Sequence, residues 1–373
     1  MNSLQSLTTV RAGFIPLVDC AVLVVAREKG FAAAHGIDLQ LKKEVSWANI
    51  RDHVNVGLLD VAHMLAGMPI AQSLGINHIK VATIAPMALG AGGNAITVSH
   101  ALYDELSVSG EDLNDPLGAA KALRHVVGKR RGDNAEPLSF GQVFPFSCHN
   151  YQLRYWMAAA GIDPERDVRL VVIPPPYMVK SLEAGQVDGF CVGEPWNIQA
   201  ADQGVGVILT HTAEFWPSGP EKVLGLQQSW AEAHPETLKA LLQALDQAAR
   251  WGDGPANRAE LAALLARPEY LDVSEAVVLT ALGGDLSFHG GGAARAACEH
   301  ALWLYAQMVR WGQTPLSKEA EQLVCGTYRP DLLAAALGGA PYMQSAEMGA
   351  ALDGVSFDAA DVPGYIAALP IKI

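Results

Sequence analysis

The sequence contains no run of roughly eighteen uninterrupted apolar residues, the length a helix needs to cross a bilayer, so no membrane span is expected. It has no cysteine pair at CxxC spacing. Its 5 cysteines, Cys20, Cys148, Cys191, Cys298 and Cys325, are odd in number, which argues against a disulfide framework and reads as reduced thiols in the cytoplasm. Positive charge is also scarce: 26 Lys and Arg stand against 39 Asp and Glu, a formal net charge of −13. Nucleic acid is bound through clustered cations, and the one dense basic run, Lys129 to Arg131, reads as solvated surface, so no direct nucleic-acid binding is expected. The first twenty residues lack the basic start, apolar core and small-residue cleavage site of an export signal, which again points to the cytoplasm. No cofactor is expected either. Cys148 and His149 have no further ligands at metal spacing, and the loop Gly90 to Asn94 lacks the Lys-Ser/Thr of a phosphate loop.

What is present is length and apolar content enough for two or three domains, 373 residues with half of them hydrophobic. The most informative pattern occurs twice. Gly57 to Met68 (GLLDVAHMLAGM) and Gly185 to Trp196 (GQVDGFCVGEPW) each run Gly-x-x-Asp, then a short apolar stretch fit for a buried strand, then a turn towards Pro69 or Pro195. Two such strands predict two α/β lobes of related build. Ligands of open α/β sheets bind beyond the carboxyl ends of strands, which places Gly193 and Glu194 at the junction of the lobes. The plainer alternative is that Gly-x-x-Asp only marks a helix-to-strand turn.

Other candidates are found by the same logic. Ser46 reads as a helix N-cap with Trp47 in the first turn, its indole N–H free to face a ligand; the alternative is a core aromatic. Gly92 and Asn94 lie in a loop of bare backbone that can approach a small ligand. Ser147 starts another helix, whose unsatisfied N–H groups suit an anion, with His149 two residues in and Phe146 just before it. Pro175 lies in the stiff turn Pro174-Pro175-Pro176. Lys222 follows the rigid stretch Phe215 to Glu221, with an exposed surface lysine as its alternative.

The runs GFIPLVDCAVLVVAREKGF, EVSWANIRD, GNAITVS, RYWMAAAGIDPERDVRLVVIPPP, GFCVGEPWN, FWPSGPEKVLG, WGDGPANR and MVRWGQ resemble, in order and over nearly the whole chain, the nitrate/bicarbonate-binding branch of periplasmic-type solute receptors. Within that branch the sequence is most similar to the cytoplasmic NasS-type nitrate/nitrite sensors, which hold an RNA-binding antiterminator (NasT-like) until the anion arrives. The resemblance implies a two-lobed α/β fold of the type II periplasmic-binding-protein class, with a hinge and an interlobe cleft. Residues 1–98 would form the first part of lobe 1, 99–205 lobe 2, and 206–373 a return to lobe 1 with a C-terminal helical wrap. It implies a binding protein rather than an enzyme, with nitrate or nitrite as ligand and the antiterminator as partner. The same fold used as the substrate-binding protein of a nitrate or bicarbonate ABC transporter is the alternative. Carried over by position, the ligand set is Trp47, Gly92, Asn94, Phe146, His149, Pro175, Gly193, Glu194 and Lys222. The nitrate receptors carry glutamine where this chain has Gly92, and the family histidine falls on Phe146, with His149 as a replacement donor three residues on.

Nitrate is a planar monoanion that accepts hydrogen bonds and donates none. Its desolvation must be offset by donors around its edge and by an opposing charge. Trp47, the Gly193 amide, the helix start near Ser147 and His149 are the expected donors, and Lys222 the expected charge. Glu194 does not fit such a set unless it turns away, pairs with a cation, or accepts the hydroxyl of bicarbonate.

Overall fold

The computed structural model describes residues 7–216, 220–339 and 352–373; part of the stretch before Lys222, residues 217–219, lies outside the described residues. Ten strands, β1 (Thr8–Phe14), β2 (Ile37–Lys43), β3 (Val61–Leu65), β4 (Thr83–Ala91), β5 (Asn94–Ser99), β6 (Ser139–Gln142), β7 (Arg169–Val172), β8 (Gly189–Gly193), β9 (Gly206–His211) and β10 (Pro220–Gln227), are arranged in two five-stranded sheets. The first has the order β2-β1-β3-β10-β4 and the second β7-β6-β8-β5-β9. In each, parallel strands meet antiparallel ones: β10 runs against β3 and β4, and β5 against β8 and β9. The chain passes from the first sheet to the second at Gly92-Gly93 and returns between His211 and Pro220, earlier than 98/99 and later than 205/206. Two crossings between two sheets are the geometry of a hinge.

The repeated Gly-x-x-Asp has the same structural use in both lobes. Gly57 and Gly185 take left-handed backbone at φ 72° and 65°, which ends the preceding helix at no Cβ cost. Three residues on, the aspartate carboxylate accepts the backbone N–H of the neighbouring parallel strand: Arg11 N to Asp60 Oδ2 at 2.8 Å, and Ser139 N to Asp188 Oδ2 at 2.7 Å. The helix-to-strand turn and the lobe signature are therefore one feature. It aligns β3 and β8, the middle strand of each sheet, so that both end at the same junction.

Ser46 and Ser147 cap their helices as expected, accepting from Asn49 N and Asn150 N at 3.2 and 3.1 Å. The glycine loop is shorter than expected. β4 continues to Ala91 and β5 starts at Asn94, because both strands find partners that far, which leaves Gly92-Gly93 alone as the connection. After β10 the chain is helical. Helix Pro235–Gly252 packs on helix Ala21–Glu28 of the first lobe, and helix Cys298–Arg310 on helix Gly67–Leu74. One apolar cluster runs from Leu17, Trp47 and Leu65 across to Phe146, Phe190 and Trp196, so the lobes are in contact.

The expectation of five reduced cysteines is corrected. Cys298, at the start of helix Cys298–Arg310, and Cys325, in helix Lys318–Thr327, form a disulfide with Cα atoms 4.7 Å apart. The partners are 27 residues apart and meet because the two helices pack side by side, a pairing that local cysteine spacing does not reveal. Cys20, Cys148 and Cys191 are buried thiols.

Candidate functional site

Where the two lobes touch, a line of buried polar side chains joins them. Trp47 starts its helix with its ring 5.4 Å from that of His63, a histidine in the otherwise apolar strand β3. His63 Nε2 lies 2.9 Å from Asp19 Oδ1, and Asp19 Oδ2 lies 2.8 Å from Lys222 Nζ. Lys222 also lies 3.4 Å from Glu221 Oε2. From the second lobe, Gln152 Nε2 donates to Glu221 Oε1 at 3.2 Å, and Asn94 Nδ2 donates to Gln152 Oε1 at 2.9 Å. Consecutive residues of a regular strand face opposite ways. Here the register of β10 against β4 slips on both sides of Lys222, an irregularity that re-aims side chains and lets Glu221 and Lys222 meet.

Among the described residues, several groups in this cluster are sealed from water without a hydrogen-bond partner. Trp47 Nε1 and both ring nitrogens of His149 are among them, with Trp47 1% exposed and His149 and Lys222 fully buried. Buried polar groups are ordinarily paired, so this concentration between two lobes is what a pocket for a polar ligand requires. Gly193 faces Asn94 in the ladder, and Glu194 N donates to Gly93 O at 2.9 Å. That makes the facing pair a non-hydrogen-bonded one and turns the Gly193 N–H away from β5.

The electrostatics follow from burial. Burial opposes the charged form of Asp19, yet Lys222 and His63 outweigh it and hold this carboxyl well below the usual range. Burial would lower the Lys222 ammonium, but Asp19 and Glu221 raise it instead. His149 is pushed well below the ordinary imidazole value by burial and by the nearby Lys222 charge, so it is neutral, with one donor and one acceptor nitrogen. His63 is lowered by burial too. Glu221 and Glu194 are both pushed up by burial, to about 7.

The structure thus brings together Trp47, Asn94, His149, Gly193 and Lys222 from the expected set. Phe146 is next to them: its ring packs edge-on to Phe144 at 5.8 Å, and its carbonyl faces Gly67 of the first lobe. Glu194 caps rather than pairs. Its Oε2 accepts from Ile198 N at 3.1 Å, and its carbonyl takes the Val18 N–H across the cleft at 2.8 Å. Gly92 is placed elsewhere, against the chain at Asp285, where an added Cβ would lie 2.6 Å from the carbonyl oxygen. Pro175 is buried beyond the end of edge strand β7, two strands from β8. Lys222 is neither exposed nor a free charge, since Asp19 already pairs with it. Sequence reasoning missed Asp19, His63, Gln152 and Glu221. The available signal was a charged or polar residue inside an apolar run, as in VDCAVLVV and VAHML. Among the described residues no group of side chains could hold a metal ion, and no helix is long and apolar enough to cross a membrane.

A family model described as the NMT1-like family matches residues 5–266. The chain belongs to the NMT1-like family. The nitrate/nitrite binding protein NrtA of Nostoc sp. (strain PCC 7120) is 32% identical to this NMT1-like chain, over 98% of the chain and 86% of the relative. The bicarbonate transport ATP-binding protein CmpC of Synechococcus elongatus is 36% identical over 96% of the chain. The chain spans about half the length of that relative, 54%. In three dimensions the chain is similar to the crystal structure of the periplasmic nitrate-binding protein NrtA from Synechocystis PCC 6803, with TM-score 0.87, 27% identity and coverage of 98% and 99% of the two chains. The fold is therefore the two-lobed α/β architecture of type II periplasmic binding proteins, and the NrtA relatives are named as binding proteins, not as enzymes.

These relatives overturn the reading of a cytoplasmic NasS-type sensor that holds a NasT-like antiterminator and has no business with a membrane. They are named for transport and for the periplasm, not for antitermination. That reading rested on the first residues of the sequence, and where a chain begins does not fix its compartment. The Cys298–Cys325 disulfide agrees with the correction, since such bonds persist in oxidising compartments.

Proposed function

We propose that the chain is the extracytoplasmic solute-binding component of an ABC importer, holding nitrate, nitrite or bicarbonate between its lobes and delivering it to membrane-embedded and ATP-driven partners. The observation that carries this reading is the sealed interlobe cluster in which, among the described residues, Trp47 Nε1 and His149 have no hydrogen-bond partner, with a buried lysine paired to two carboxylates in the same cluster. A small planar oxyanion uses such a set: the indole and the neutral imidazole donate, the Gly193 amide donates from the strand end, and Lys222 supplies the charge nearby. Closure of two lobes around it excludes water, which strengthens each contact.

The test is binding. Nitrate, nitrite and bicarbonate are each titrated against the purified protein by calorimetry and by melting. An anion at about a hundred times its Kd is expected to stabilise the fold by roughly 2.7 kcal/mol. No heat and no melting shift with any of the three would end this reading. Replacement Trp47→Phe keeps the ring against His63 and removes one donor. It is expected to weaken the preferred anion by about 1.5 kcal/mol, close to tenfold, with the ligand-free melting temperature little changed. Unaltered affinity in that variant would assign Trp47 to the core alone.

A further inference from the structure

Glu221 is a carboxylate built into a site proposed for anions. Its Oε1 accepts from Gln152 across the cleft at 3.2 Å, and its Oε2 lies 3.4 Å from Lys222 Nζ. The titratable groups around it come from five elements. Lys222 is on its own strand, Asp19 is in the turn after β1, and Cys148 and His149 start the helix Cys148–Ala159. Cys191 is on β8, and His63 on β3 stands behind Asp19. Burial keeps both thiols protonated and both imidazoles neutral. The local charge therefore rests on Lys222, Asp19 and Glu221. Asp19 already matches the one lysine at 2.8 Å. An ionised Glu221 and a bound anion together would set three negative charges against that single cation, away from water and from salt screening.

We propose that each small monoanion enters this pocket together with one proton, which Glu221 takes from solvent on its carboxylate oxygen, making Glu221 the residue that couples anion binding to pH. The proposal rests on the reading of the cleft as an oxyanion site. The protonated carboxyl still accepts from Gln152, so the bridge between the lobes survives, and it gains an O–H that can donate.

The sign follows from linkage. Without ligand, burial already lifts Glu221 to about 7. A bound anion beside it lifts it further. Below that value the site is already protonated and binding moves no proton; above it, uptake rises towards one proton and affinity falls towards tenfold per pH unit. Nitrate is titrated calorimetrically near pH 8.5 in two buffers of different ionisation heat, and Kd is followed upward from neutral pH. The wild type is expected to take up close to one proton per nitrate, with Kd weakening about tenfold per pH unit. Glu221→Gln is expected to bind without uptake and without pH dependence, while Glu194→Gln retains both. Nitrate binding by the wild type with no proton uptake overturns the proposal, whatever the variants do. Uptake that persists in Glu221→Gln overturns it as well, whether or not Glu194→Gln retains it. A wild type that binds none of nitrate, nitrite and bicarbonate is a distinct result: it brings down the oxyanion reading, and this proposal with it.

Discussion

Lys222→Ala is expected to abolish measurable anion binding and to destabilise the protein together. The ammonium is fully buried, 2.8 Å from Asp19 and 3.4 Å from Glu221. Removing one partner of a buried pair leaves the other charge stranded, a cost of about 3 to 5 kcal/mol. Asp19 would be left with a neutral His63 beside it. Its carboxyl, now held low chiefly by Lys222, would then rise as burial dominates. The double variant Lys222→Ala with Asp19→Asn separates the two effects. It removes the stranded charge, so thermal unfolding should recover much of the lost stability, while calorimetry should still find no anion bound because no cation remains. If Lys222→Ala binds nitrate, nitrite or bicarbonate as the wild type does, the lysine is structural and the site lies elsewhere.

Lys222 also shows where sequence reading reaches its limit. As a candidate it was legible from the motif FWPSGPEKVLG, but its buried, paired state was not. A charge budget depends on neighbours brought in by topology. Asp19 comes from the first strand-to-helix turn and Lys222 from the last strand of the same sheet, two hundred residues later, and no local pattern pairs them. Glu221 would be expected to face away from Lys222 by strand alternation, and only the slipped register of β10 against β4 brings the two together.

Features set by local chemistry were legible. Ser46 and Ser147 cap where a polar residue precedes a helical stretch, and both Gly-x-x-Asp repeats close a helix and open a central strand. The two-lobed fold followed from that repeat and from the family resemblance. Gly92 was a different case. Its bare backbone serves a close approach, but to the chain at Asp285 and not to the cleft. A glycine reveals that something comes near, not what it is. The disulfide was invisible for the same reason as the Asp19–Lys222 pair: helix packing brings Cys298 and Cys325 together.

The hinge can be tested from a glycine that sequence reading passed over. Gly67 begins the helix after β3, and its backbone is not left-handed, so alanine suits it and would ordinarily help the helix. In this structure, where the lobes touch, an added Cβ would overlap the Phe146 carbonyl oxygen of the second lobe and press on Met308. A side chain could swing aside; this carbonyl belongs to backbone fixed by the Ser147 cap that follows it. The strain is therefore relieved by holding the lobes apart. Gly67→Ala is expected to leave the ligand-free protein about as stable as the wild type and to penalise closure by about 3 kcal/mol, the upper range for overpacking a tight contact. Because apparent affinity scales with the fraction of protein able to close, Kd should rise by about two decades. Calorimetry measures that loss, and small-angle scattering with saturating anion should give a larger radius of gyration for the variant than for the wild type. Should Gly67→Ala bind with unchanged affinity and compact to the same extent, the approach of Gly67 to Phe146 is not part of the ligand-bound state, and closure must run about a different axis.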